Sequence, residues 1–503
     1  MSGGIVYLVG AGPGDPGLLT VKGSECLKKA GVVLYDGLSN PKMMDAVPED
    51  CEKISVEKRP GFQSRKQVEI NALMVEKARA GMTVVRLKGG DPFIFGRGGD
   101  EAEFLGKEGI RFEVIPGVTS AVAAPAYAGI PVTHRGTSTH VTFVTGHTAS
   151  LSGEVDWEAL AKVGGTIVVY MGVGNRGAYA RLLMEAGLPG STPVAVIQRG
   201  TMPNQLTIRT SLDRLEHADV ESPAAIVIGD VAAMNYEWFE SQPLFGRKIV
   251  VTRSRSQAGS LVQALRDLGA MAIEIPTIQL NPPGEWGPVD EAILNVSIFD
   301  WLVFTSANGV AYFLDRLFEL GKDSRVLGGL RLAAVGPGTS EKLSQYGLRA
   351  DLCPDWHIAE GLLESFRDLE NLSSSHFLIS RPELSREALA EGLRELGAKA
   401  TEVIAYRTVK PESIPNEVLP LLEDGCDMIT FTSSSTVRHF VELIGDNRIK
   451  NLAEVPVACI GPKTAETARS MGFKVVAQPD DDAISIDGLA DSILAHYKDA
   501  MKV

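Results

Sequence analysis

The chain is 503 residues long, more than one hydrophobic core holds, which predicts two to four domains. Hydrophobic residues make up 44% and charged residues 22%, and no apolar run reaches the roughly 18–20 residues that span a bilayer, so the pattern is globular rather than membrane-spanning. A net charge of −14 disfavours nucleic acid and anionic membranes as partners, and five scattered cysteines with no metal-type spacing and no disulfide framework fit a reducing cytoplasm.

The first residues have no basic segment before an apolar stretch, so no signal peptide is predicted. Strand-like runs alternate with amphipathic ones along the whole chain, which predicts an α/β class with largely parallel sheets. The opening "IVYLVGAGPGDPG" is a strand running into a glycine turn. Read as a dinucleotide fingerprint, it has an acid, Asp36, 22 residues after Gly14, where ribose recognition needs one. Against that reading, Asp15 occupies the third glycine position, and Pro13 and Pro16 remove two backbone donors. An adenosine-bearing ligand without phosphate, such as S-adenosylmethionine, suits the turn better than NAD. A second cluster, "VVRLKGGDPFIFGRGGDE", places five glycines in the eleven positions from Gly89 to Gly99. Glycine costs conformational entropy on folding, so this density predicts close approach of backbone to a ligand.

A stretch without strand pattern, "NYEWFESQPLFGRK", separates the last early strand from a new one, "KIVVTRSR", and sets a domain boundary near Gln242 to Gly246. Beyond it the chain repeats itself. "WLVFTSANGVAYF" returns as "MITFTSSSTVRHF", "RLAAVGPGTSEKL" as "PVACIGPKTAETA", and the long strand-helix-strand unit at Lys248 returns at His376. Phe304 and its counterpart Phe431 lie 127 residues apart, too long a period for a solenoid. The second half is therefore two similar α/β lobes. Each lobe can take either strand-helix-strand unit, and a swapped pairing crosses between lobes near Thr277–Leu280 and Tyr406–Val409.

The segments "YLVGAGPGDPGLLT", "YDGL", "KRPG", "VRLKGGDPFIFGRGG", "PGVTSA", "GIPVTHR", "VTGH", "YMG" and "RGT" occur in the order seen in uroporphyrinogen-III C-methyltransferases, and Gly4 to about Phe239 resembles that branch of the tetrapyrrole methylase family. The second half is similar to uroporphyrinogen-III synthases through its paired "FTS" and "GP" motifs. The resemblance implies a two-lobed methylase over residues 1–243, with lobes at about 1–115 and 116–243. It implies a two-lobed synthase with parallel sheets over 246–503, with lobe A at about 246–278 plus 412–503 and lobe B at about 281–405.

On the methylase half the resemblance implies S-adenosylmethionine held by Pro13, Gly89, Gly90, Asp91, Ile94, Thr119, Ser120, Met171 and Gly200, with S-adenosylhomocysteine as product. It makes Asp36 a general base with Lys58 as its acid partner. The alternative is that Asp36 binds a hydroxyl and Lys58 a substrate carboxylate. Uroporphyrinogen III carries eight carboxylates, for which Arg59, Arg97, His134 and Arg135 are candidates, with Arg65 nearer to solvated surface. Gly37, Ser39 and Glu57 depart from the family pattern beside Asp36 and Lys58. On the synthase half Arg253, Thr305, Ser306, Ser433, Ser434, Lys463 and Thr464 are candidates to bind hydroxymethylbilane. Ser306, Ser433 and Ser434 read equally as helix N-caps. Tyr406 matches a family proton donor and reads equally as a hinge tyrosine. No metal site is expected. The family implies a homodimer through the methylase half, and two further readings stay open: an NAD-dependent oxidoreductase, and a second half that only senses tetrapyrroles.

Overall fold

The computed structural model describes the chain apart from residues 1–3, 57–65, 147–154, 253–254, 357–358, 368, 370, 385–387, 415–417, 420–421, 423, 446–451, 453 and 501–503. Among the described residues, twenty strands in four five-stranded sheets make up its frame. Residue contacts divide it into two units, Met1–Arg247 with Leu265–Met271, and Lys248–Ala264 with Ala272–Val503.

In the first unit β1 (Ile5–Gly10), β2 (Val32–Tyr35), β3 (Glu52–Ser55), β4 (Thr83–Lys88) and β5 (Arg111–Ile115) form a fully parallel sheet in the order β3-β2-β4-β1-β5. Alternate residues serve opposite faces. Val9, Val33, Val85 and Leu87 pack in one core cluster, whereas Val6, Leu8, Val32, Leu34 and Val84 pack in another with Met74. A sheet covered on both faces requires apolar residues at successive positions, which is why these strands read as continuous hydrophobic runs.

The next sheet contains β6 (Val141–Thr145), β7 (Thr166–Tyr170), β8 (Pro193–Gln198), β9 (Leu206–Ser211) and β10 (Ala224–Ile228), ordered β6-β7-β10-β8-β9. Only β6 and β7 run parallel; β10 is antiparallel to β7 and to β8, and β8 is antiparallel to β9. This is one exception to the parallel pattern expected from sequence; the short edge strand Gln279–Asn281, antiparallel to Lys399–Val409, is another. The link between β8 and β9 is too short for a crossover, which leaves an antiparallel return.

The second unit contains β11 (Lys248–Val251), β12 (Met271–Glu274), β13 (Gln279–Asn281), β14 (Trp301–Phe304), β15 (Arg331–Ala334), β16 (His376–Pro382), β17 (Lys399–Val409), β18 (Met428–Phe431), β19 (Val457–Cys459) and β20 (Val475–Ala477). One sheet has the order β12-β11-β18-β19-β20 and the other β13-β17-β16-β14-β15. The early strand-helix-strand unit thus joins the late "FTS" strand, β18, and the later unit joins the early one, β14. Each lobe draws its sheet from both copies of the repeat. Among the described residues no helix is long and apolar enough to cross a membrane.

Three strand ends of the first sheet meet backbone to backbone. A Cβ built on Gly117 would lie 2.3 Å from the Gly90 carbonyl oxygen and 2.7 Å from Gly10 Cα, and one on Gly10 would lie 2.5 Å from Gly117 Cα. The Gly117→Ala variant is expected to lose about 1–3 kcal/mol of local stability by overpacking. Hydrogen exchange read by mass spectrometry on β1 and β5 peptides checks this. Gly99→Ala, where a Cβ meets nothing within 4 Å, is the control and keeps wild-type protection.

Candidate active sites

The two glycine clusters are bonded to each other. The Gly12 N–H donates to the Gly90 carbonyl at 3.1 Å and the Gly90 N–H returns to Gly12 at 2.7 Å, while the Ala11 N–H donates to the Lys88 carbonyl at 2.7 Å. The turn after β1 is therefore stitched to the loop after β4, at the carboxyl edge of the parallel sheet where α/β folds bind ligands. Asp91 fixes this junction from the side chain. One carboxylate oxygen accepts from the Phe93 N–H at 2.8 Å and the other from the Gly117 N–H at 3.0 Å.

The proline-punctuated turn is held by the other lobe. Asp15 donates its N–H to Thr201 Oγ1 at 3.1 Å and accepts the Gly17 N–H at 2.7 Å and the Tyr127 hydroxyl at 2.7 Å. Burial and the Asp15 carboxylate push the Tyr127 hydroxyl well above its usual range, so it remains a donor. Asn40 Nδ2 donates to the Gly14 carbonyl at 2.8 Å. Pro13 and Pro16 have no N–H, and the amides of Ala11, Gly12, Asp15 and Gly17 are taken. Only the Gly14 amide of this turn is left, so the turn does not form a pyrophosphate cradle.

Among the described residues every non-glycine with positive φ belongs to the loops around this junction: Phe95 (51°), Arg97 (59°), Met171 (52°), Arg199 (50°) and Thr201 (72°). Each such conformation costs about 1 kcal/mol or more, and these strained residues gather at functional loops. Tyr170, at the end of β7, connects the lobes. Its hydroxyl bonds Thr119 Oγ1 and accepts the Ala121 N–H at 3.1 Å, and its ring lies 5.0 Å from that of Phe95. Thr119 and Ser120 open the helix Ser120–Tyr127. Gly200 lets that helix come close, since a Cβ there would lie 2.4 Å from Ala124 Cβ. Met171 is half exposed, and Ile94, Phe95 and Leu38 also present apolar surface. Tyr170 was missed from sequence although "YMG" was noted; an aromatic ending a buried strand has no distinguishing signal.

Asp36 follows β2, and its carboxylate, one-third exposed, takes Arg86 Nη2 at 2.6 Å. Arg86 is buried and also donates from Nε to Glu101 Oε1 at 3.1 Å and from Nη1 to the Leu34 and Leu87 carbonyls. Lys88 Nζ reaches the same Glu101 oxygen at 3.0 Å. Burial, reinforced by the Arg86 charge, lowers the Lys88 ammonium from its usual range, against the pull of Glu101 and Asp36. Arg86, Lys88 and Glu101 were not singled out from sequence, although two cations inside "VVRLKGG", an otherwise apolar buried strand, were the available signal. Lys58, Arg59, Arg65 and Arg253 lie outside the described residues. Arg97 is exposed and paired with Asp100 at 2.9 Å. His134 lies in a turn closed by Ser138, with Arg135 exposed beside it.

In the second unit the structure joins two candidates. Tyr406 on β17 is buried, and its hydroxyl lies 3.1 Å from Ser306 Oγ. Ser306 also caps the helix Ala307–Glu319 by accepting the Gly309 N–H at 3.0 Å. Tyr312 stacks on Tyr406 with ring centroids 5.6 Å apart, and burial raises its hydroxyl, with Tyr406 adding to the effect. Thr305 donates to the Ser380 carbonyl at 3.2 Å. In the other lobe Ser433 caps the helix Ser434–Ile444, and Ser434 donates to the Lys463 carbonyl at 3.2 Å. Lys463 is exposed, whereas Thr464 is buried in the first turn of the helix Pro462–Ser470.

Comparison with known proteins matches both halves. The family model for tetrapyrrole (corrin/porphyrin) methylases matches residues 5–216, and that for uroporphyrinogen-III synthase HemD matches residues 259–489. The porphyrin biosynthesis protein HemD of Ruminiclostridium josui is 38% identical over 98% of this chain and 98% of its own length. A uroporphyrinogen-III C-methyltransferase of Bacillus subtilis is 37% identical over 96% of each chain. Among solved structures, a Thermus thermophilus uroporphyrin-III C-methyltransferase complexed with S-adenosylhomocysteine is 40% identical, covering 46% of this chain and 94% of that one, with a TM-score of 0.40. Matched from end to end by such relatives, the chain belongs to the family that fuses a tetrapyrrole methylase to a uroporphyrinogen-III synthase, and it is a bifunctional enzyme of tetrapyrrole biosynthesis.

Proposed function

We propose that the second unit cyclises hydroxymethylbilane to uroporphyrinogen III, with inversion of the last ring and loss of water, and that the first methylates this product twice to precorrin-2. The observation that carries the methylase reading is the backbone junction of Gly10, Gly12, Gly90 and Gly117, ringed by strained residues and poor in free amides. That edge fits S-adenosylmethionine. Glycines let backbone groups approach a nucleoside, Met171 and Ile94 offer exposed, polarizable apolar walls, and no phosphate cradle is present to favour a dinucleotide. When bound, the cofactor supplies an electrophilic methyl group.

The chain's own residues do the rest. Gly89, Gly90, Thr119, Ser120, Met171, Gly200 and the Pro13 turn line the cofactor. Asp91 holds the loop, each oxygen accepting one backbone N–H, and by resemblance it lines the cofactor with the lone pairs that remain. Asp36 takes the proton that the macrocycle must lose once a pyrrole carbon has been methylated, and Arg86 keeps its carboxylate oriented. By resemblance, Lys58 is the acid partner of Asp36, and Arg59, Arg97, His134 and Arg135 bind the substrate carboxylates. Holding the two reacting groups in line supplies much of the acceleration. In the second unit the Tyr406 hydroxyl assists departure of the substrate hydroxyl as water, while Ser306, Thr305 and the Ser434–Lys463 edge bind the flexible chain in one conformer.

Two copies associate through the methylase half, a reading supported by exposed apolar residues there, among them Val21, Val122, Leu206 and Trp238. All five cysteines are free, in keeping with a cytoplasmic location.

Incubation of the full chain with hydroxymethylbilane and S-adenosylmethionine is expected to yield the dimethylated product by absorbance and mass. Uroporphyrinogen III accumulating unmethylated removes the methylase reading; methylation only of supplied uroporphyrinogen III removes the synthase reading. Asp36→Ala is expected to lose about 10²–10⁴-fold in methylation, the range of a positioned base, while cyclisation of hydroxymethylbilane continues at the wild-type rate. Tyr406→Phe is expected to show the reverse: slower cyclisation in a stopped assay, with unchanged methylation of supplied uroporphyrinogen III.

A further inference from the structure

Beneath the second glycine loop lies a largely buried ionic cluster of which the methylation reading uses one member, Asp36. Glu101, in the first turn of the helix Gly98–Lys107, is wholly buried. Its Oε1 takes three donors: Arg86 Nε at 3.1 Å, Lys88 Nζ at 3.0 Å and Gln67 Nε2 at 3.0 Å. Its Oε2 is buried without a hydrogen-bond partner. Arg86 is engaged by all three guanidinium nitrogens, and the last of these grips Asp36. Of the four charged members, Arg86, Lys88, Glu101 and Asp36, only Asp36 reaches the surface, at 33% exposure against 0–3% for the others.

Stability alone is a poor account of this arrangement. Taking these charges out of water costs several kcal/mol per ion, and a packed apolar group of the same volume often serves stability as well or better. What the cluster provides is rigidity along a line from the helix that ends the glycine loop to a single carboxylate at the site. We propose that Glu101 is a positioning residue: acting through Arg86, it locks Asp36 in the orientation from which it takes the ring proton and ties that orientation to the glycine loop. This rests on the reading of Asp36 as the base. The low-dielectric surroundings strengthen each ion pair in the chain of contacts, and the lowered Lys88 ammonium reflects the same burial.

The test uses the full chain as Glu101→Gln, Glu101→Asp, Asp36→Asn and the Asp36→Asn/Glu101→Gln double variant. Methylation kcat and KM are measured with supplied uroporphyrinogen III, and S-adenosylhomocysteine affinity by calorimetry. Glu101→Gln is expected to lose at least tenfold in kcat, with KM and S-adenosylhomocysteine affinity within twofold of wild type. Glu101→Asp, which keeps the charge, recovers part of the rate. The double variant is no slower than Asp36→Asn, because two residues acting through one group do not add. Wild-type kcat in Glu101→Gln overturns the proposal, as does a loss that multiplies onto that of Asp36→Asn. Loss of S-adenosylhomocysteine affinity in both Glu101 variants also overturns it, by assigning the cluster to folding alone. Asp36→Asn turning over at the wild-type rate refutes the base reading itself, an outcome separate from the others.

Discussion

The reciprocal pair of amide–carbonyl bonds between Gly12 and Gly90 is the constraint on which the first unit's chemistry depends. It brings two loops from adjacent parallel strands into contact without side chains between them, and Gly10 and Gly117 close the third side. Once that junction is fixed, the rest of the rim is determined. Phe95 and Arg97 take left-handed conformations to turn the second loop into its helix, and Met171 and Thr201 do the same at the ends of strands in the other lobe. The lobes are then joined by polar contacts of Asp15 with Thr201 and Tyr127 and by the packing of the Phe95 ring on Tyr170. A site built this way offers shape and apolar surface and little fixed positive charge, which suits a sulfonium nucleoside better than a pyrophosphate.

Much of this was legible in the chain. Glycine density marked both loops, because a residue without Cβ is retained where backbones nearly touch. The prolines beside Asp15 argued against a phosphate cradle, and the structure adds the reason: the remaining amides are spent within the protein. The repeat from Trp301 to Met428 disclosed two lobes, since a sheet edge carrying the same serine cap must sit on the same kind of strand and helix. What stayed hidden depends on contacts distant in sequence. The two oxygens of Asp91 hold the Phe93 and Gly117 amides, a structural role that no local pattern announces. Arg86 and Glu101 are fifteen residues apart and meet only because the strand and the following helix pack together. The mixed second sheet was likewise masked, for a buried antiparallel strand such as β10 is as uniformly apolar as a parallel one.

The two units solve different chemical problems with different means. The methylase unit collects strained residues and buried charge around one partly exposed carboxylate, that of Asp36. Around Tyr406 the synthase unit offers hydroxyls, helix caps and stacked aromatic rings, with Thr305, Ser306 and Tyr312 close by. That composition fits a reaction whose leaving group needs little help and whose difficulty is the shape of a flexible substrate.

The interleaved strand order of the second unit bears on how the protein is made. β11 pairs with β18, so that Thr430 bonds the Val250 carbonyl across 180 residues of chain. While the ribosome is still producing the intervening lobe, β11 has no neighbour on that side, and its open hydrogen-bonding edge is available to any other strand. The lobe in the middle can close first, whereas the outer one waits for the last segment to emerge. A nascent chain of this topology is thus vulnerable to mispairing late in synthesis, and truncation near its end leaves the outer sheet with nothing to complete it.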